Sequence, residues 1–160
     1  MHEEVADRGG LAPDVPWLDK LYPPYLKERQ VEHLGHLQDV FGTSREDKGG
    51  RHELLKLNLN GFGAPHLALL YMPVWGNERE AADVGHFGQS LMLALWSRGI
   101  GSAPQASISM AAGTIRRHLG LDGSKKLLYA ISFGYEEPGL RHSRLTQDRV
   151  PQEGFVRWHG

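Results

Sequence analysis

Apolar and polar positions change period several times along the chain, and each change predicts a different element. From Tyr25 to Phe41, Leu26, Val31, Leu34, Leu37 and Val40 recur between charged residues at helical spacing, with Gly35 as a weak point. Thr43-Ser44-Arg45-Glu46-Asp47 breaks that pattern. Thr43 and Ser44 can each cap a following helix, and Glu46 stands three residues after Thr43 as a capping box requires. A second helix, interrupted at Gly49-Gly50, is expected to run to about Asn58. After Gly61-Phe62-Gly63-Ala64-Pro65, the run from His66 to Val74 is continuously apolar between glycine and proline. That is the pattern of a strand buried on both faces, although its leucines leave a short helix open.

Further along, Asp83 is expected to cap the clearest helix of the chain, which runs to about Arg98 and stops at Gly99. Val84, Phe87, Leu91, Met92, Leu93, Leu95 and Trp96 cover more than one stripe of it, so it is either buried or shared with a partner subunit. Gly99 to Ser109 reads as a loop or the start of a strand, and Met110 to Leu119 as a helix closed by Gly120. Leu127 to Tyr135 is a second buried strand, ended by Glu136-Glu137-Pro138-Gly139. Residues 1–24 form an extended lead-in, because Pro13, Pro16, Pro23 and Pro24 disfavour helix; Trp17, Leu18, Leu21 and Tyr22 give it apolar mass to lay on another surface. Phe155, Val156 and Trp158 likewise suggest that the polar tail docks somewhere. Two strands among helices are too few for a large doubly wound sheet, so the expected class is α+β.

Composition narrows the class. At 160 residues, 40% hydrophobic and 23% charged, the chain reads as one domain, 1–160, neither disordered nor fibrous. It contains no cysteine, which excludes disulfides, thiolate metal sites and cysteine nucleophiles. A net charge of -1 lacks the basic field that non-specific nucleic-acid binding needs; Arg116-Arg117-His118 and Lys125-Lys126 are short enough to be solvated surface. No apolar run approaches the roughly 18 residues of a membrane span, and MHEEVADRGG is polar and acidic, so a soluble cytoplasmic protein is expected.

Candidate chemistry is sparse. His33 and His36 lie at i and i+3 without a flanking carboxylate to complete a metal set, and His66 and His86 read as satisfied core histidines rather than general bases. No metal site is expected. The chain has no G-x-S-x-G elbow, no GxxxxGK[ST] phosphate loop and no GxGxxG before a helix.

A more informative order spans the second half: LMLALWSRGIGSAPQAS, then IRRHLGLDGSKKLLYAISFGYEEP, then RLTQDRVPQEGFVRWHG, with NLNGFGAPHLALLYM upstream. In this order the pieces resemble the nitroreductase family of FMN-dependent oxidoreductases, well over residues 51–160 and loosely over 14–50. The resemblance implies a small antiparallel or mixed sheet flanked by helices, in an intertwined homodimer with FMN at the subunit interface. It implies hydride transfer from NAD(P)H through FMN to a nitro compound, quinone or related small-molecule acceptor, with the protein orienting the flavin. The broad helix after Asp83 would pack at the dimer centre. Pro104, Gln105, Ala106 and Ser107 match the family loop along the isoalloxazine ring, where small residues let backbone amides approach the ring edge. Arg149 matches the tail arginine on the FMN phosphate, a contact a guanidinium can make bidentately. No catalytic side chain is assigned.

The resemblance also has gaps. Gln147 stands where some family members carry a second basic residue, and Arg8 in ADRGG lacks the companions of the family's R-x-S-x-R phosphate motif. The N-x-Q-P-W segment has no counterpart either, so the domain is expected to be short at its N-terminal end. That departure keeps a second reading open: a cofactor-free remnant, or a binding or partner subunit that keeps the fold.

Overall fold

The structure, a computed structural model, describes residues 12–16, 21–44, 46–139 and 149–159. Trp17, Leu18, Arg8 and Gln147, which the sequence analysis singled out, lie outside the described residues. Helix α1 spans Pro24–Phe41, with Pro24 in the first turn where its missing N–H is no loss, and it ends at Gly42 in the left-handed conformation, φ 65°. Helix α2, Lys48–Leu59, starts at Asp47 and not at Thr43 or Ser44. The Asp47 carboxylate accepts the Gly50 N–H at 2.9 Å, while Ser44 Oγ accepts the Asp47 N–H at 3.2 Å and so orders the turn before the helix. Gly49 and Gly50 therefore sit in a capped first turn and do not interrupt α2.

Strand β1, His66–Pro73, is followed by helix α3, Glu78–Trp96. Helix α3 begins earlier than Asp83, because Asn77 and Glu80 form a reciprocal capping box: Asn77 accepts the Arg79 N–H and Glu80 accepts the Asn77 N–H, both at 2.9 Å. Strand β2 is Gly101–Gln105, a 3-10 helix covers Ala106–Ala111, and helix α4, Ala112–Leu119, stops at Gly120. Strand β3 is Lys125–Gly134. The expected helix from Met110 is thus a 3-10 turn followed by a shorter α-helix. The two strands expected from the sequence are three, because GSAPQ pairs through its backbone although nothing in its side chains has strand character.

The sheet is antiparallel with the order β1-β3-β2. The class is α+β, as expected, and the short-helix alternative for residues 66–74 does not hold. Nor is β1 buried on both faces throughout: as an edge strand it buries Leu70 and Met72 but leaves His66 and Leu67 exposed. Opposite β1, the register jumps from Leu70 with Tyr129 to Tyr71 with Leu127, so Leu128 is a bulge. The extra residue shifts the alternation, and Leu127 and Ala130 face the same side. There they join Leu59, Ile108, Ala111, Ala112 and Ile115 in the main core, with Leu69 and Tyr71 at its margin.

Helix α3 covers the other face. Its point of closest approach is Gly88, where an added Cβ would collide with the Tyr129 hydroxyl and lie 3.2 Å from Leu70. The Tyr129 hydroxyl donates to the Val84 carbonyl at 3.3 Å, so helix and strand are joined at the same place. Beyond the end of β2, the Leu127 N–H donates to Asp14 of the lead-in at 2.8 Å, and Asp14 also forms an ion pair with Arg116. Part of the lead-in thus lies against the sheet, but through Asp14 and not through the apolar residues expected to place it there: Leu21 and Tyr22 are exposed. Burial would raise the Asp14 carboxyl, but the bonds from Arg116 and Leu127 and the charges of Arg116 and Lys126 outweigh it and hold the group below 3.8.

Two measurements check this packing. Gly88→Ala is expected to lower stability by about 1–3 kcal/mol in chemical denaturation, and Tyr129→Phe in that background to recover part of it; an unaltered midpoint for Gly88→Ala would contradict the close approach. Asp14→Asn is expected to cost about 1–3 kcal/mol at neutral pH. Because the folded carboxyl titrates below its ordinary value, its contribution is present above that value and fades as pH falls through the folded pKa. The gap between wild type and Asp14→Asn should therefore narrow as pH falls below the ordinary carboxylate range, and a constant gap would refute the assignment.

Candidate functional site

Strand β2 lies at a sheet edge, which is where proline is tolerated because its missing N–H leaves no gap in a ladder on both sides. Pro104 sits opposite Ile131, and Gln105 opposite Ala130 on the core face. Gln105 is only 3% exposed, and its Nε2 donates to Ser132 Oγ at 3.1 Å. Ser132 is itself buried, and its hydroxyl lies 3.4 Å from the Ala103 carbonyl. Gly61 makes room for this pair: with φ 61°, it lies where a Cβ would be 3.2 Å from Ser132 and 3.0 Å from Leu67.

After Gln105 the chain tightens into the 3-10 turn. Ile108, Ser109 and Ala111 are buried beneath it, and the Ser109 hydroxyl donates to the Ala106 carbonyl at 2.7 Å. Residues on either side of Gln105 are thereby held outward: Pro104 and Ala106 are exposed and Ser107 is half-buried. The result is a ledge of small side chains on a rigid support, along a strand whose outer edge has no strand partner among the described residues. Such a ledge can take a planar ring closely and present main-chain groups to charge developing on it. What Gln105 offers a ligand is its main chain, since its amide side chain is committed to Ser132.

Arg149 lies elsewhere. It lines a cleft of about 560 Å³ with Tyr25, Arg29, Val150, Gly154 and Phe155, to which residues 104–107 do not contribute. The structure thus gathers the four loop residues and sets the tail arginine against the start of α1. Phe155 and Trp158 are exposed, at 71% and 84%, so these tail residues do not dock on the core of their own chain. His66 and His86 are not core histidines: both are exposed, His66 stacking on Phe133 at a ring separation of 5.2 Å, because β1 is an edge strand and α3 is covered on one side only. His33 and His36 are exposed on α1, and among the described residues no group of three or more His, Asp or Glu could hold a metal ion.

Sequence reasoning missed Ser132, Asp14 and Arg29. Ser132 had a signal, being the one small polar side chain inside the run LLYAISF. Asp14 and Arg29 had none, since their partners lie about a hundred residues away along the chain.

The model of the nitroreductase family matches residues 21–135. Nitroreductase NfnB of Mycolicibacterium smegmatis is 37% identical over 142 residues, covering 89% of this chain and 59% of that protein. A 4-nitrobenzoate reductase of Pseudomonas putida is 31% identical, covering 84% of this chain and 59% of its own. The chain therefore spans about three fifths of the length of these curated relatives. Among solved structures, FMN-dependent nitroreductase NfnB of Mycobacterium smegmatis, in complex with NADPH, superposes with a TM-score of 0.94 at 30% identity, over 99% of this chain and 71% of that one. No helix among the described residues is long and apolar enough to cross a membrane.

Proposed function

The chain belongs to the nitroreductase family, and from that premise we propose that it serves as an FMN-dependent oxidoreductase taking hydride from NAD(P)H and delivering it to a nitro compound, quinone or related small acceptor. The observation that carries the reading is the ledge Pro104-Gln105-Ala106-Ser107. Its outward positions are small, its inward glutamine is anchored on Ser132, and its backbone lies along an open sheet edge. These features fit the edge of a flavin ring. When bound, FMN supplies the redox chemistry of both half-reactions, which none of the protein's side chains could perform.

The chain's own contribution is orientation. Gln105 and Ser109 fix the main chain on both sides of Ala106, so groups facing the ring need little reorganisation when charge develops there. Arg149, exposed and without an acidic partner among the described residues, is suited to a phosphate. The functional unit in this reading is a homodimer, placed in the cytoplasm where NAD(P)H is available. Helix α3 supports the dimer: Leu93 and Trp96, three residues apart on one side of it, are 60% and 75% exposed, and Phe87, on another side, is 62% exposed, apolar surface that a lone chain would present to water.

Titration with FMN, followed by the flavin absorption bands, tests the cofactor. The wild type is expected to take up FMN, and Ala106→Glu, which sets a carboxylate on the ledge without touching the core, to weaken uptake by about tenfold or more at unchanged melting temperature. A wild type indifferent to FMN would refute the reading and favour a cofactor-free binding role. Sedimentation tests the dimer: the wild type should have twice the chain mass, and Leu93→Glu with Trp96→Glu should shift it toward monomer. A wild-type monomer at micromolar concentration would exclude the dimer.

A further inference from the structure

Where α1 gives way to α2, Phe41, Leu54 and Leu57 line a cleft of about 460 Å³, together with Thr43, Asn60 and the pair Glu53 and Lys56. Among the described residues, neither the ledge 104–107 nor the tail cleft contributes to it. Its size suits a small molecule, and so does its make-up of apolar walls with a few polar groups. Glu53 and Lys56 bond to each other at 3.0 Å, so their charges cancel and offer little to an ion. Thr43 and Asn60 are neutral and uncommitted. The Thr43 hydroxyl is buried without a hydrogen-bond partner among the described residues, which costs free energy unless something bonds to it. The Thr43 methyl group packs toward Gly50, where an added Cβ would lie 2.7 Å from it, so the side chain has little room to turn. The Asn60 amide makes no side-chain hydrogen bond among the described residues either. One wall is braced at a cost. Phe62 has φ 55°, between Gly61 at 61° and Gly63 at 80°, a conformation that side chains avoid. There its ring lies 5.9 Å from that of Phe41, tilted by 31°.

We infer that this cleft binds a small neutral aromatic molecule bearing a carboxamide. The ring packs among Phe41, Leu54 and Leu57, the amide carbonyl accepts from the Thr43 hydroxyl, and the amide N–H donates to the Asn60 side-chain oxygen. A carboxylate in the same place would shed water where the one lysine is already paired, and a hydrocarbon would leave the Thr43 hydroxyl unbonded. The inference is independent of the redox reading, since no flavin group enters it.

Benzamide, benzoate and toluene have nearly the same shape and separate the three cases. Each is titrated into the full chain and followed by proton–nitrogen NMR spectra, with any bound flavin oxidised and no NAD(P)H present. Benzamide is expected to bind saturably and to shift the backbone amides of Thr43, Leu57 and Asn60, with benzoate and toluene each about threefold to tenfold weaker. Thr43→Val keeps the shape and removes the hydroxyl. It should bring benzamide down to the affinity of toluene while the melting temperature holds or rises, because a buried unbonded hydroxyl is lost. A hydroxyl that served only the fold would give the reverse, a lower melting temperature with the preference for benzamide intact, and would overturn the inference. Leu57→Trp, which fills the cleft, should weaken benzamide and toluene alike; if that variant fails to fold, Thr43→Val still decides. Benzoate or toluene binding as tightly as benzamide, shifts confined to residues 104–107, or no saturable binding of benzamide would also overturn it.

Discussion

Strand β3 must satisfy hydrogen bonds on both edges and packing on both faces at once, and most of the molecule is arranged around that demand. Strands β1 and β2 take its two edges, helix α3 covers one face, and α2, α4 and the 3-10 turn cover the other. Leu127 and Ile131, the largest fully buried side chains, both lie on it, and burying each contributes about 1.5–3 kcal/mol. Strand β2 is too short to reach the start of β3, so an amide would be left without a partner there, a cost comparable to a lost hydrogen bond. Asp14 takes that amide and links it to Arg116. A residue of the proline-rich lead-in thereby acts as one residue of a missing strand.

The ledge at Pro104–Ser107 depends on the same strand. Ser132 of β3 receives Gln105, and the strand alternation that turns Gln105 inward turns Pro104 outward. Function in this reading belongs to backbone and small side chains, and for that reason the rigidity beneath them matters more than any one reactive group.

How much of this was legible varied from element to element. Helix α1, the strand from Leu127, which in fact runs Lys125–Gly134 and leaves Tyr135 exposed, and the stop at Gly120 could be read because periodicity and caps act over a few residues. The start of α3 was misplaced because Asn77 and Asp83 are both good caps, and the reciprocal Glu80 contact decides between them. Strand β2 was left open between a loop and the start of a strand because proline and small residues have low strand propensity, and the edge of β3 decided for the strand. The likeness of the loop and tail to a family was visible in residue order, whereas the cleft that Arg149 lines was not.

By itself the sequence determined the fold class, the main helices, both long strands, the small-residue loop and the absence of thiol chemistry, since these follow from local pattern and composition. Only the tertiary structure decided that Leu128 bulges, that Gln105 faces the core, that Asp14 completes β3 and that Arg29 and Arg149 line one cleft. Each of those facts is a contact between groups far apart along the chain. Such contacts are set by which surfaces the packed sheet leaves open, and no local pattern of residues records that.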